Sequence, residues 1–278
     1  MTACACFRDA ARRASRINGT HRAVRVLRWT RILAHAGHAA LILRFVYPRA
    51  TPERRRTLTH WWSGKLLAIL NITPQVEGEP PAMGETQAMI VANHVSWIDI
   101  FLISSVRPTR FVAKSEIRAW PLAGWIAESA GTLFIRRDQM RDMARIDARV
   151  REVLQQGDCV GLFPEGITTE GDELLKCHTS LFEPAVANGA HVHPVAIRYE
   201  HPDGTLCRQM SFIGERTFMQ SIELILRQKA VRARIMFAPP VETAGAARRD
   251  IAKSVEASVA SLLGLSPAGR APSTRADR

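Results

Sequence analysis

Residues 88–92, Ala-Met-Ile-Val-Ala, carry no polar side chain, and helical spacing begins a few residues after they end. A short unbroken apolar run of this kind reads as a strand buried on both faces, which belongs in a sheet covered by helices. The alternation continues along the chain. A helix is expected over about 97–105, a strand over 110–114, and a short helix over 121–130 opened by Pro121. A strand follows at 133–137, then a long helix at 140–156 closed by Gly157, then a strand at 159–163. Further strands are expected at 191–199, 210–213 and 232–237, with a helix near 215–229. This order predicts an α/β fold, a mainly parallel or mixed sheet flanked by helices. No internal repeat interrupts it.

The net charge of +12 is unevenly distributed. Residues 1–65 hold thirteen arginines and Lys65 against Asp9 and Glu53, while 66–278 is balanced at 24 basic and 24 acidic residues. A basic amino-terminal quarter points to anionic lipid or nucleic acid. Within residues 23–47, Arg25, Arg28, Arg31, His35 and His38 recur at spacings of three and four and form one polar stripe on a helix. Leu27, Trp29, Ile32, Leu33, Ala40, Leu41 and Leu43 cover the rest. The longest charge-free stretch, between Arg31 and Arg44, is about a dozen residues, short of the roughly 20 that span a bilayer. The pattern suits a helix lying in the interface, arginines towards the headgroups and Trp29 at the boundary. A second helical stretch, 52–70, brings Arg54–Arg56, Trp61, Trp62, Leu66, Leu67 and Leu70, so an amphipathic helical hairpin is expected. The plainer alternative is an amphipathic hairpin packed on the core with a solvated basic face. A cleaved signal peptide is disfavoured by the length of the basic region, and nucleic acid by an aromatic content of only 6%.

The five cysteines form no C-x-x-C and read as reduced thiols in a cytosolic setting, with Cys4 and Cys6 as candidates for lipidation. The expected organisation is a basic membrane-surface helical region at 1–75, an α/β domain at 76–264 and a disordered tail at 265–278.

Chemistry concentrates at two strand exits. Asn93-His94-Val95-Ser96-Trp97-Ile98-Asp99 follows the run at 88–92, and Phe163-Pro164-Glu165-Gly166 follows the strand at 159–163. Ligands bind at strand exits in open α/β sheets. Ser96 three residues before Asp99 reads as a capping box, with Ser96 as N-cap. Within one helix His94 and Asp99 would lie about 140° apart; with the helix starting at Ser96, His94 sits in the preceding turn and can fold back onto Asp99. A histidine oriented by an aspartate takes a proton from a hydroxyl. The chain has no G-x-S-x-G, so that hydroxyl is expected on a substrate. Read alone, Asp99 is a cap and His94 a loop residue, and a Pro-Glu-Gly turn is common. Lys114 ends one expected strand and Arg136 and Arg137 end another, and together they would line an anion-binding rim with Glu165 and Gly166. His191 and His193 resemble a metal pair but have no acidic partner nearby in sequence, so no metal is expected there.

Taken together, these segments resemble the glycerophospholipid acyltransferase family, of which 1-acyl-glycerol-3-phosphate acyltransferase is the best-known type. The resemblance covers roughly residues 86–200. Asn93–Asp99 is similar to the family's N-H-x4-D block, and Phe111-Val112-Ala113-Lys114 and Pro121-Leu122-Ala123-Gly124-Trp125 follow in order. Gly131-Thr132-Leu133-Phe134-Ile135-Arg136-Arg137 resembles the block ending in the acceptor-binding arginine, at Arg137. Phe163–Gly166 is the third block and Val192-His193-Pro194-Val195-Ala196 the fourth. One departure stands out: Ile167-Thr168-Thr169 follow Gly166, with threonine at 168 where the family often has arginine.

The resemblance implies an enzyme that moves an acyl group from acyl-CoA or acyl-carrier protein to a lysophospholipid hydroxyl, with no cofactor. His94 would act as base and Asp99 would orient it. Lys114, Arg136 and Arg137 would bind phosphate, Glu165 would accept from acceptor hydroxyls or anchor an arginine, and Gly166 or the helix start would offer oxyanion donors. The main expectation is phosphatidate synthesis at the cytoplasmic face of the inner membrane, peripheral or monotopic. A lyso-ornithine lipid acceptor is the alternative raised by Thr168. A thioesterase with the same dyad and a non-catalytic basic membrane-binding protein are the rivals of other classes.

Overall fold

The computed structural model describes residues 20–119, 123–135 and 140–265, excluding the side chains of residues 114, 123, 135 and 140–146. In chain order the strands are β1 (Ile72–Glu77), β2 (Ala88–Ala92), β3 (Thr109–Lys114), β4 (Leu133–Ile135), β5 (Cys159–Leu162), β6 (His191–Glu200) and β7 (Val231–Phe237). They form one mixed sheet in the order β1-β7-β6-β2-β5-β3-β4. Five strands from β6 to β4 run parallel, β7 is antiparallel to β6, and β1 is parallel to β7.

The α-helices are α1 (Arg22–Leu41), α2 (Pro52–Leu70), α3 (Ile98–Ser104), α4 (Ala123–Ser129), α5 (Met140–Gln155), α6 (Glu183–Asn188), α7 (Phe218–Leu226) and α8 (Arg248–Leu263). β2 shows why the sheet needs cover on both faces. Ala88, Ile90 and Ala92 pack with α2, α3 and α7, whereas Met89 and Val91 pack with α5, α6 and α8. The two-residue period of a strand divides one apolar run between two cores.

Three expectations need correction. Residues 210–213 are not a strand: a 3-10 turn at Arg208–Met210 leads into extended chain, and Phe212 N–H bonds the Val95 carbonyl instead of a sheet neighbour. β1 was not expected, because Ile-Thr-Pro-Gln-Val-Glu buries only Ile72 and contains a proline; it lies at the sheet edge, where proline is tolerated. The expected hairpin is one bent helical segment. α1 runs through a π turn (Ile42–Val46) and a 3-10 turn (Tyr47–Arg49) before Pro52 opens α2, which Thr51 caps by accepting from Arg54 N–H.

The polar stripe of α1 is divided rather than wholly outward: Arg28 and His35 are buried and Arg25 is half-buried, while Arg31 and His38 stay exposed. Arg28 is buried and donates to the carbonyls of Leu226, Gln228 and Lys229 at 3.2, 2.7 and 3.2 Å, at the carbonyl-rich end of α7. Arg25 pairs with Glu223 at 3.1 Å, and buried His35 stacks on Trp62 with centroids 4.4 Å apart. A buried guanidinium is tolerated only where acceptors surround it, and the end of α7 supplies them. Trp29 and Ile32 pack partly against the core. Leu27, Leu33, Leu41 and Phe45 are left facing outward, 56–64% exposed, beside exposed Arg31 and Arg44. Among the described residues no helix is long and apolar enough to cross a membrane.

Candidate active site

Val91 of β2 pairs with Leu162 of β5, so these parallel neighbours open at the same sheet edge. The chain leaves β2 towards β3, beyond β5, and leaves β5 towards β6, beyond β2. Divergent connections of this kind leave a crevice between the two strands. The segments containing His94 and Glu165 both enter it.

His94 Nδ1 lies 2.8 Å from Asp99 Oδ2. The same oxygen accepts the N–H groups of Val95 (2.7 Å) and Ser96 (2.9 Å), and Oδ1 accepts the Tyr199 hydroxyl at 2.7 Å. A carboxylate only accepts, so Nδ1 carries the proton, and in the neutral ring the lone pair is on Nε2. Asp99 is fully buried, while the His94 side chain is 20% exposed. The aspartate therefore holds the ring from within and the ring faces the crevice. The capping box is only half formed: α3 starts at Ile98 with Trp97 as N-cap. Asp99 reaches back to the Ser96 N–H, but the buried Ser96 hydroxyl has no partner among the described residues.

Neighbouring segments fix the turn. The Asn93 side-chain amide accepts from Ile197 N–H at 2.7 Å and donates to the Ile197 carbonyl at 3.1 Å, extending the β2–β6 ladder one step past the strand. Thr169 N–H donates to the His94 carbonyl at 2.8 Å. The His94 ring stacks on Phe163 at 3.9 Å, and Phe163 is parallel to Phe111 at 5.6 Å. Phe111 in turn crosses β5 at Gly161, where an added Cβ would meet its ring at 2.5 Å. Gly161→Ala is therefore expected to destabilise the fold by about 1–3 kcal/mol through overpacking. It should also lower activity by tilting the aromatic column under His94. Thermal denaturation and turnover of the variant check both effects.

Glu165 contacts no arginine among the described residues. Its Oε1 accepts His94 N–H and its Oε2 accepts Leu175 N–H, each at 2.9 Å, so it ties the chain after β5 to the chain after β2. Burial pushes its pKa up to about 7, against the two backbone bonds and with a further push from the Asp99 charge. The folded state thus holds a proton that the unfolded chain has released between about pH 4.3 and 7. This group should reduce stability as pH rises through that window, and Glu165→Gln should remove that part of the slope in denaturant titrations. At high pH the amide, which presents an N–H to one of the two donors, should cost about 1–3 kcal/mol.

Gly166 closes the turn with φ +80°, a conformation suited to glycine. Thr168 donates its hydroxyl to the Phe212 carbonyl and presents no cation. Arg136, Arg137 and the side chain of Lys114 lie outside the described residues, as do Cys4 and Cys6; Cys159, Cys177 and Cys207 are free and buried. The structure supplies the acidic partners that the sequence order of His191 and His193 did not show. Glu85 lies 2.9 Å from His193 Nε2 and Glu242 lies 3.4 Å from His191 Nε2, both at the amino end of β6. Among the described residues no group of three or more His, Cys, Asp or Glu is disposed to hold a metal ion. Tyr199 and the aromatic column were not anticipated; the two-residue spacing of Val195, Ile197 and Tyr199, which all face α3, was the available signal.

A family model described as Acyltransferase matches residues 73–198. The lyso-ornithine lipid O-acyltransferase of Pseudomonas aeruginosa is 41% identical over 210 residues, covering 75% of this chain and 79% of that protein. The chain belongs to the glycerophospholipid and lyso-lipid O-acyltransferase family. This acyltransferase is also 40% identical over 161 residues to the 1-acyl-sn-glycerol-3-phosphate acyltransferase of Neisseria meningitidis, covering 58% of the chain and 63% of that protein. In fold it is similar to the 1-acyl-sn-glycerophosphate acyltransferase PlsC of Thermotoga maritima, with a TM-score of 0.66 at 20% identity, covering 87% of this chain and 93% of that one. It is an O-acyltransferase that delivers an acyl group to a lysophospholipid-like acceptor.

Proposed function

We propose that this acyltransferase completes a lyso-ornithine lipid at a membrane surface, with His94 as general base and Asp99 as its orienting carboxylate. The observation that carries the catalytic reading is the 2.8 Å bond from His94 Nδ1 to buried Asp99, which leaves Nε2 on the crevice side. In this reading Nε2 takes the acceptor hydroxyl's proton as the oxygen attacks the thioester carbonyl. The tetrahedral intermediate collapses with loss of thiolate, and the imidazolium returns its proton to the sulfur. Asp99 supports the imidazolium formed between these steps.

Two observations support the acceptor. The relative named for lyso-ornithine lipid matches over 79% of its length, against 63% for the Neisseria meningitidis protein. Thr168 is tied to Phe212 at a position where a phosphate-binding cation is expected, and an amino-acid headgroup needs no such cation. Lys114, Arg136 and Arg137 then serve the phosphates of an acyl-CoA or acyl-carrier-protein donor. The outward leucines and Phe45 of the bent helical segment, flanked by Arg31 and Arg44, suit a bilayer surface with anionic headgroups.

Mass spectrometry of products from one acyl thioester and a panel of lyso-acceptors tests the acceptor. Diacylated ornithine lipid should form at least about tenfold faster than phosphatidate, roughly 1.4 kcal/mol of discrimination. The reverse order would make 1-acylglycerol-3-phosphate the acceptor.

A further inference from the structure

We infer that Tyr199 is a positioning residue of the dyad, holding the Asp99 carboxylate so that Oδ2 faces His94; this rests on the base role proposed for His94. Asp99 is fully buried, and three donors converge on Oδ2: His94 Nδ1, Val95 N–H and Ser96 N–H. Oδ1 receives one hydrogen bond among the described residues, the 2.7 Å bond from the Tyr199 hydroxyl. Rotation of the carboxylate about its Cβ–Cγ bond would break this bond and the bond to His94 together.

The reach of Tyr199 follows from unequal strand lengths. β6 has ten residues against five in β2, and Ala92 pairs with Val195, so 196–200 overhang the exit of β2. Asn93 grips Ile197 across the first step of that overhang. Two residues further on the same face, Tyr199 meets the start of α3, where Asp99 sits. The phenol is fully buried, and burial together with the Asp99 charge raises its pKa well above the usual value. It therefore remains a donor throughout the working pH range. A donor to Oδ1 draws charge from the carboxylate and weakens its pull on the imidazolium. Tyr199 thus sets both the direction and the strength of the Asp99–His94 contact.

Tyr199→Phe should lower kcat by about 10–100-fold, as loss of an outer-shell partner typically does, with little change in KM. The acid limb of its pH–rate profile should move to higher pH, because an undamped Asp99 charge favours the imidazolium. In an Asp99→Asn background the same change should cost almost nothing, since three donors hold the amide oxygen at Oδ2 and the amide nitrogen takes the place of Oδ1. A packing role alone would give equal losses in both backgrounds and an unmoved acid limb, which would overturn the inference.

The chain has only two tyrosines, Tyr47 and Tyr199. Biosynthetic 3-fluorotyrosine in a Tyr47→Phe protein therefore places a stronger donor at 199 alone without removing the bond, whether or not Tyr199→Phe folds. Its acid limb should move to lower pH; no movement, or movement upward, would contradict the assignment. Full activity in His94→Ala would instead remove the base reading itself, so the two failures are distinguishable.

Discussion

His94→Ala should lower the acyl-transfer rate by about 10²–10⁴-fold, and the protein should keep its fold and its affinity for vesicles. Among the described residues the ring is the only group bonded to Asp99 that is partly open to the crevice; the other partners are two backbone amides and the buried Tyr199. Its removal leaves the carboxylate satisfied by those three donors, so no buried charge is stranded and the fold has little reason to fail. The loss should appear in kcat, because in the proposed mechanism the imidazole acts on a proton that moves only as the acyl group transfers. Circular dichroism and vesicle sedimentation of the variant separate this effect from misfolding. Turnover like that of the wild type would rule out the base.

Leu27→Ser, Leu33→Ser and Leu41→Ser combined should weaken partition onto anionic vesicles by about 10²–10⁴-fold. Burying one leucine fully stabilises by roughly 1.5–3 kcal/mol. Each of these three is a little more than half exposed, which leaves about 3–5 kcal/mol across the three for a bilayer to gain. The substitutions touch outward positions, while Arg28, His35 and Trp62 hold the segment to the core. The melting temperature should therefore stay close to that of the wild type, as should turnover of detergent-dispersed substrate. Unchanged partition would show that the outward face is not the membrane contact.

The sheet was largely legible because its buried strands advertise themselves. β2 and β5 have side chains buried on both faces, and their apolar runs locate them to within a residue; in β7 exposed Arg232 and half-buried Arg234 alternate with buried neighbours. β1 was illegible for the same reason: an edge strand that buries Ile72 alone has no apolar run to show. α8 lies beyond the last expected strand, although Ile251, Val255, Val259 and Leu263 recur every four residues along it. The stripe on α1 was visible, but periodicity gives two faces without saying which one is inside. Three carbonyls at the end of α7 decided that, and they are some 200 residues away in sequence. The His94–Asp99 contact followed from local turn geometry, so sequence spacing was enough to anticipate it. The Tyr199 and Asn93 contacts depend on the overhang of β6 past β2, a register that no local spacing records.

The most direct measurement is the stoichiometry of a purified reaction: thiol released from an acyl thioester, counted against diacylated ornithine lipid formed. One product lipid per thiol, with no thiol released when the lyso-lipid is omitted, is the result expected if the His94 imidazole deprotonates a bound lipid alcohol. Thiol released at the same rate without acceptor, with free fatty acid as its partner, would mean that water receives the acyl group and would contradict the account.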